Sequence, residues 1–112
     1  MNEKEAIEKI KSVILEECKK EDIDVLKIIL FGSRARGDSK KDSDWDVYVV
    51  VRDKLSFDRT AELISKIKWR LALMDIPNDI IIRSEDDAER YKDSIGFISY
   101  YARREGINIW MR

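Results

Sequence analysis

Two short polar motifs, each beside an apolar run, constrain this chain more than any other feature. One apolar run ends in Gly32-Ser33, a polar stretch with a glycine follows, and Asp44 and Asp46 then open a second apolar run. Side chains at positions i and i+2 of a strand point to the same face. The two carboxylates should therefore lie together, and they would repel each other unless a cation lay between them. An all-oxygen ligand set without histidine suits Mg²⁺ or Mn²⁺.

Composition bounds the size of the protein and the chemistry open to it. With 112 residues, of which 44% are hydrophobic, we expect a single domain over residues 1–112. The 22 basic and 23 acidic side chains nearly balance, which argues against nucleic-acid binding because that function favours a basic excess. Histidine is absent, so Ser-His triads and histidine-containing zinc sites are excluded. Catalysis would rest on carboxylates, metals, arginine, lysine and backbone groups.

The sequence gives no sign of a membrane or secreted protein. Residues 1–11 carry mixed charges instead of an apolar stretch, and no run approaches the ~18 apolar residues of a membrane span. Cys18 has no second cysteine to pair with, and it lies on the apolar side of a helical pattern, so we expect a buried thiol. The expected location is the cytoplasm, without membrane contact.

Hydrophobic periodicity predicts the helices. Apolar side chains at spacings of three and four predict an amphipathic helix over residues 3–20 and a longer helix over residues 56–74. Ser84 followed by three acidic residues is typical of another helix start. A further helix is expected over residues 94–105, with Gly106 after its end. The core-facing side chains of the long helix are predicted to be Phe57, Ala61, Ile64, Ile67, Leu71 and Met74.

Four apolar runs predict the strands, over residues 25–31, 44–51, 79–82 and 107–110. The second run barely alternates with polar residues, which is typical of a strand buried on both faces. If the polar motifs are to meet at one sheet edge, strands one and two must be antiparallel. Strands two and three must then be parallel, with the long helix as crossover. The predicted fold is a small mixed sheet flanked by helices, α/β in character or α+β by stricter naming, with Trp45 in its core.

The string GSRARGDSKKDSDWDVYVV resembles the signature of the minimal nucleotidyltransferases of the DNA polymerase beta superfamily. Their pattern is an apolar strand, Gly-Ser, a loop of this length, Asp-x-Asp, and a third carboxylate at the head of a later strand. Asp79, within the segment IPNDIII, matches the third carboxylate. The C-terminal string REGINIW is also similar to the end of that domain. The resemblance covers nearly the whole chain and implies a polymerase-beta-like nucleotidyltransferase fold.

The resemblance implies a metal site made of three carboxylates. Asp44, Asp46 and Asp79 would hold two Mg²⁺ or Mn²⁺ ions, and Asp79 would act on an attacking hydroxyl as a base or as a metal-bound orienting group. The plainer alternative for Asp44 and Asp46 is a solvated turn, and for Asp79 a capping residue. A turn does not account for Asp46, because it is followed directly by strand residues and aspartate is a poor strand former.

The resemblance also implies a phosphate-binding segment. Gly32 and Ser33 would receive the β- and γ-phosphates of a nucleoside triphosphate, because glycine allows close approach and exposed N–H groups favour anions. Arg34 and Arg36 suit phosphate contacts, although exposed arginines are more often solvated charges. Ser43 is expected to brace the loop.

The implied reaction is the transfer of a nucleoside monophosphate, AMP from ATP, to a hydroxyl. Small proteins of this type resemble antitoxins that are paired with HEPN-domain toxins, so the acceptor could be a tyrosine of a helical HEPN-type partner. The alternative is a non-catalytic antitoxin, a binding module that neutralises its partner by forming a complex. The aromatic residues between Tyr91 and Trp110 are predicted to contribute to that interface. The sequence does not decide between a homo-oligomer and a hetero-oligomer.

Overall fold

The computed structural model describes residues 1–92 and 104–112, which form four helices and a four-stranded mixed sheet. The helices are α1 (Glu3–Lys20), α2 (Gly32–Arg36), α3 (Phe57–Leu73) and α4 (Glu85–Tyr91). The strands are β1 (Val25–Phe31), β2 (Trp45–Val51), β3 (Asn78–Ser84) and β4 (Ile107–Met111). The fold is α+β, as predicted. The predicted bounds of α1 and β1 are confirmed, β2 begins one residue later than predicted, and α3 is one residue shorter than predicted at each end.

Side-chain caps start three of the helices. The Asn2 side chain accepts a hydrogen bond from the N–H of Glu5 at 2.8 Å, and the Ser56 hydroxyl accepts one from Arg59 at 3.1 Å. Ser84 caps α4 in the predicted way. Such caps satisfy N–H groups that have no partner within the helix, and they fix where each helix leaves the sheet.

The strand order in the sheet is β3-β2-β1-β4. β1 is antiparallel to β2 and to β4, whereas β2 and β3 are parallel and are joined by α3. The predicted arrangement of the first three strands is thereby confirmed, and β4 lies along the other side of β1. The C-terminal end of β1 and the N-terminal ends of β2 and β3 therefore meet at one edge of the sheet. We call this the acidic edge, because Asp46 and Asp79 lie there.

The main core lies between one face of the sheet and helices α1 and α3. Trp45 and Cys18 are buried in it, as predicted. β2 is buried along nearly its whole length, which confirms the two-sided burial inferred from its composition. A smaller apolar cluster lies on the opposite face and consists of Phe31, Tyr48 and Val50.

The predicted core stripe of α3 is partly wrong. Ile67 and Leu71 are buried, but Leu63 is the third buried residue of the helix, and Phe57 and Ala61 are exposed. Leu63, Ile67 and Leu71 repeat every four residues and so share one helix face. Phe57 is the first residue of α3 and lies outside the turns that pack against the sheet.

The segment after β1 is also not the loop that was expected. Residues Gly32–Arg36 form the short helix α2, and Gly37 closes it with a left-handed φ of 84° and an N–H that donates to the Ser33 carbonyl at 3.0 Å. The helix predicted over residues 94–105 lies outside the described residues except for its last two, which are helical. Most of the predicted aromatic interface lies outside them too.

No helix within residues 1–92 and 104–112 combines the length and the apolar character needed to cross a bilayer.

One buried carboxylate ties the two long helices together. Glu17 of α1 is buried, and its Oε2 accepts hydrogen bonds from Arg70 of α3 at 2.8 Å and from Lys20 at 3.0 Å. The pKa of Glu17 is lowered, chiefly by the hydrogen bond from Lys20 and also by Arg70, although burial opposes this. The charged form is therefore the stable one in the folded protein.

We expect Arg70→Met to lower the free energy of unfolding by about 1–3 kcal/mol at neutral pH, because Glu17 loses a partner while buried. Since the folded pKa of Glu17 lies below its ordinary value of 4.5, its contribution is present above that pH and is lost as the pH falls further. Urea unfolding between pH 7 and pH 3 measures both effects. Glu8→Gln, which breaks an exposed pair with Lys11, should change little. Equal losses in both variants would refute this role for Glu17.

Candidate active site

Strand pairing brings the key residues of the two motifs to the acidic edge. Phe31, the last residue of β1, pairs with Asp46 of β2, and Asp46 pairs with Asp79 of β3. Gly32 directly follows Phe31, so Gly32, Asp46 and Asp79 lie next to one another where β1 ends and where β2 and β3 begin. Asp44 lies just before β2 and is exposed. The predicted convergence at one edge is thus observed, although their roles in binding and catalysis remain predictions.

Gly32 and Asp46 make a contact that only glycine permits. Gly32 has a φ of 72°, a left-handed value that side chains disfavour. A Cβ atom built on Gly32 would lie 2.1 Å from Oδ2 of Asp46. The Asp46 carboxylate therefore rests directly against the backbone where β1 turns into α2, and both backbone conformation and space require glycine.

Negative charge is concentrated at the acidic edge. The pKa of Asp46 is raised, first by burial and then by the nearby charges of Asp79 and Asp44, and among the described residues Arg36 acts in the opposite direction. Carboxylates that raise one another's pKa gain when a cation binds between them. The electrostatics of this edge therefore favour a bound positive charge.

The donor set at this edge fits a metal ion that needs further ligands from a second molecule. Asp44, Asp46 and Asp79 offer only oxygen atoms, the ligands that Mg²⁺ and Mn²⁺ prefer. Among the residues that the structure describes, no three acidic or cysteine side chains are grouped closely enough to form a metal site. Mg²⁺ is commonly held by one or two carboxylates together with substrate phosphates. The chemistry of the donor set at this edge therefore fits such an ion.

Arg34 braces the polypeptide before the first aspartate. Its guanidinium donates to the Ser43 carbonyl at 2.9 Å and to the Lys41 carbonyl at 3.2 Å. It also lies over the Trp45 ring, 4.5 Å from the centroid. Only 10% of its side chain is exposed, so most of its N–H groups face the protein and not the solvent. Sequence reasoning considered Arg34 only as a phosphate ligand or a solvated charge.

The Ser43 side chain fulfils its predicted bracing role. Its hydroxyl accepts a hydrogen bond from the Lys40 N–H at 2.7 Å. Ser33 lies in the first turn of α2, and its carbonyl accepts from Gly37 and Asp38 at 3.0 and 3.2 Å. These hydrogen bonds end α2 and connect it to the turn that follows. The predicted phosphate contact of Ser33 remains a prediction.

Arg36 has a different environment from Arg34. Its side chain is 45% exposed, and it donates to Asp38 at 3.3 Å and to Glu105 at 3.2 Å. These acids raise the pKa of Arg36, the hydrogen bond to Asp38 being the largest cause. Sequence reasoning missed Glu105, since no local pattern links two residues so far apart in the chain.

The contact between Gly32 and Asp46 predicts different outcomes for two glycine substitutions. Gly32→Ala should abolish Mg²⁺-dependent ATP binding, because the new methyl group displaces the Asp46 carboxylate. Gly37→Ala is the matched control, since Gly37 also has a positive φ of 84° but a Cβ there would meet nothing within 4 Å. It should lose about 1–2 kcal/mol of stability from backbone strain and keep its ATP affinity. Calorimetry on the two folded variants decides; equal ATP affinities would contradict the role of the contact.

Several solved structures share this fold. A toxin–antitoxin complex with AMP-PNP has a TM-score of 0.54 at 20% identity, covering 90% of this chain and 73% of that chain. A tri-AMPylated HEPN toxin from Shewanella oneidensis in complex with an MNT antitoxin gives a TM-score of 0.59 at 18% identity, covering 99% and 74%. A further structure from Shewanella oneidensis gives 0.52 at 17% identity, covering 92% and 71%. At these identities the likeness shows the fold alone.

Sequence comparison supplies the family. No curated protein matches the chain. The model of the family described as polymerase beta, nucleotidyltransferase, matches residues 8–102, which include Gly32, both aspartates of the Asp-x-Asp motif and Asp79. The chain therefore belongs to the polymerase beta nucleotidyltransferase family.

Proposed function

We propose that this protein is a metal-dependent nucleotidyltransferase that transfers AMP from ATP to a hydroxyl group of a partner protein. The observation that carries the proposal is the cluster at the acidic edge, where Asp46 lies against the Gly32 backbone and beside Asp79. Burial and neighbouring carboxylates raise the pKa of Asp46, and a cation bound there would relieve the repulsion. Family membership supports the reaction class.

Asp44, Asp46 and Asp79 would hold Mg²⁺ or Mn²⁺ together with phosphate oxygens of the nucleotide. The bound ions would neutralise the phosphates and favour the deprotonated form of the attacking hydroxyl. The two predicted ions remain part of this proposal. The open arrangement of the carboxylates in the described part of the chain is consistent with this shared coordination.

The residues of the chain would position the reacting groups. The acceptor oxygen forms a bond to the α-phosphorus, the bond from that phosphorus to the bridging oxygen breaks, and pyrophosphate leaves with the bonding electrons. Asp79 would take the hydroxyl proton or orient the hydroxyl, because it lies at the open edge of β3 beside Asp46. The backbone at Gly32 and Ser33 would contact the phosphates.

Two structural neighbours support the choice of nucleotide and acceptor. One is a toxin–antitoxin complex with AMP-PNP, and another contains a tri-AMPylated HEPN toxin together with an MNT antitoxin. By analogy, the nucleotide here would be ATP, and the acceptor would be a tyrosine of a helical HEPN-type partner.

An exposed apolar patch on α3 supports binding of a protein partner. Trp69 and Leu73 are one helical turn apart and are 68% and 69% exposed. Exposed tryptophan beside aliphatic surface is typical of interface hot spots. Lys68, the residue before Trp69, donates to the carbonyl of Asn78 at 2.8 Å. Asn78 directly precedes Asp79, so this end of α3 lies near Asp79. A partner bound at Trp69 and Leu73 would lie close to the acidic edge.

A non-catalytic antitoxin is the second candidate. The same patch favours it, because Trp69 and Leu73 could bind a partner without any transfer. The two functions differ in one observable: an enzyme adds the mass of AMP to its partner, whereas a binding module leaves the partner unmodified.

We expect the partner protein, incubated with this chain, ATP and Mg²⁺, to gain the mass of one or more AMP groups in intact-mass spectrometry. Asp46→Asn should abolish both transfer and ATP binding. Asp79→Asn should reduce transfer far more than it weakens ATP binding, because its proposed role is at the hydroxyl. Complex formation without added mass in the wild type would favour the binding module, and full transfer by Asp79→Asn would exclude Asp79 from the reaction.

The proposed interface predicts that Trp69→Ser with Leu73→Ser weakens partner binding by more than about 1–2 kcal/mol. Phe57→Ser is the matched control, because Phe57 is 86% exposed on the same helix but lies at its other end, away from the acidic edge. Surface plasmon resonance with the purified partner measures both. If the control weakens binding as much as the double variant, the interface has been assigned to the wrong end of α3.

A further inference from the structure

Helix α2 carries two arginines with different relations to the acidic edge. Arg34 is mostly buried, and its guanidinium donates hydrogen bonds to the carbonyls of Lys41 and Ser43. Arg36 is the last residue of α2, and the first residue of that helix, Gly32, contacts Asp46. The Arg36 guanidinium donates to Glu105, which lies just before β4, next to the end of β1 and so at the same edge of the sheet. The charge of Arg36 also lowers the pKa of Asp46.

Two acids hold Arg36 and leave part of its guanidinium available. Nε donates to Asp38 at 3.3 Å and Nη1 donates to Glu105 at 3.2 Å. Within residues 1–92 and 104–112, the remaining terminal nitrogen donates no hydrogen bond to the protein. A guanidinium held from one side can present its other donors to a phosphate in a fixed direction.

Glu105 reaches Arg36 because of the sheet topology. β4 is antiparallel to β1, and Ile107 at its start pairs with Leu30 near the end of β1. One residue separates Glu105 from β4, so Glu105 lies beside the acidic edge even though it is distant in sequence from Arg36. Asp38 lies only two residues after Arg36, whereas Glu105 connects Arg36 to a distant part of the chain.

We propose that Glu105 is a positioning residue for nucleotide binding: it holds the Arg36 guanidinium beside the acidic edge, where the phosphates of a nucleoside polyphosphate meet it. This inference rests on the proposed function. Glu105 would increase nucleotide affinity by preorganising the Arg36 side chain. Fixing a flexible side chain on binding has an entropic cost, and Glu105 removes part of that cost before the nucleotide arrives. The exposed ion pair itself contributes little to stability.

Glu105 also carries a negative charge, which by itself would repel phosphates. The two effects have opposite signs, so binding measurements separate them. If positioning dominates, Glu105→Ala weakens Mg²⁺–ATP binding. If repulsion dominates, the same substitution tightens it. Glu105→Gln keeps an acceptor of the same length without the charge, and we expect its affinity to lie between those of the wild type and Glu105→Ala.

The test is calorimetric titration with Mg²⁺–ATP of the wild type, Glu105→Ala, Arg36→Ala and the double variant. Each single variant should bind about 3- to 10-fold more weakly, and the double variant should be no weaker than Arg36→Ala alone, because Glu105 acts through Arg36. A purely structural role would not produce this dependence on Arg36. Asp24→Ala is the matched control: it breaks exposed pairs with Arg52 and Arg112 at the opposite edge of the sheet and should leave affinity unchanged.

Affinity in Glu105→Ala equal to or tighter than that of the wild type overturns the inference, and so does an additive loss in the double variant. In either case wild-type binding and AMP transfer would still support the proposed function. If the wild type binds no Mg²⁺–ATP, the proposed function and this inference fail together.

Discussion

The close approach of the Asp46 carboxylate to the Gly32 backbone is the contact on which the candidate site depends. It requires a residue without a side chain and a left-handed φ at the point where β1 turns into α2. It also requires that β1 and β2 pair in one register, with Phe31 opposite Asp46. A slip of one residue would turn the carboxylate to the other face of the sheet. The core between the sheet and the two long helices holds that register.

The same contact explains the electrostatics of the site. A carboxylate that contacts the backbone and has two other carboxylates nearby has its pKa raised by burial and repulsion, and Arg36 offsets this in part. In the part of the chain that the structure describes, negative charge is thus concentrated at this edge of the sheet. A metal ion with a polyphosphate would balance that charge, and the carboxylates would supply only some of the ligands.

Much of this arrangement could be predicted from the sequence, for identifiable reasons. Strong helical periodicity gave the bounds of α1, and the need to bring Gly32 and the aspartates to one edge gave the order of β1, β2 and β3. Phe57 and Ala61 were misassigned to the core because several helix faces share their spacing and the sequence does not reveal where the packed turns begin. α2 is only five residues long, too short for a periodic pattern. The contacts of Arg34 with Trp45 and of Arg36 with Glu105 depend on tertiary packing, which local patterns do not contain.

The central claim is that the acidic edge and a nucleotide bind the metal ion jointly. Electron paramagnetic resonance of Mn²⁺ measures this directly, because free and protein-bound ions give different spectra. The account predicts weak Mn²⁺ binding by the protein alone, much tighter binding when ATP is added, and loss of that gain in Asp46→Asn. Tight Mn²⁺ binding that is independent of ATP, or an ATP effect that survives in Asp46→Asn, would contradict it.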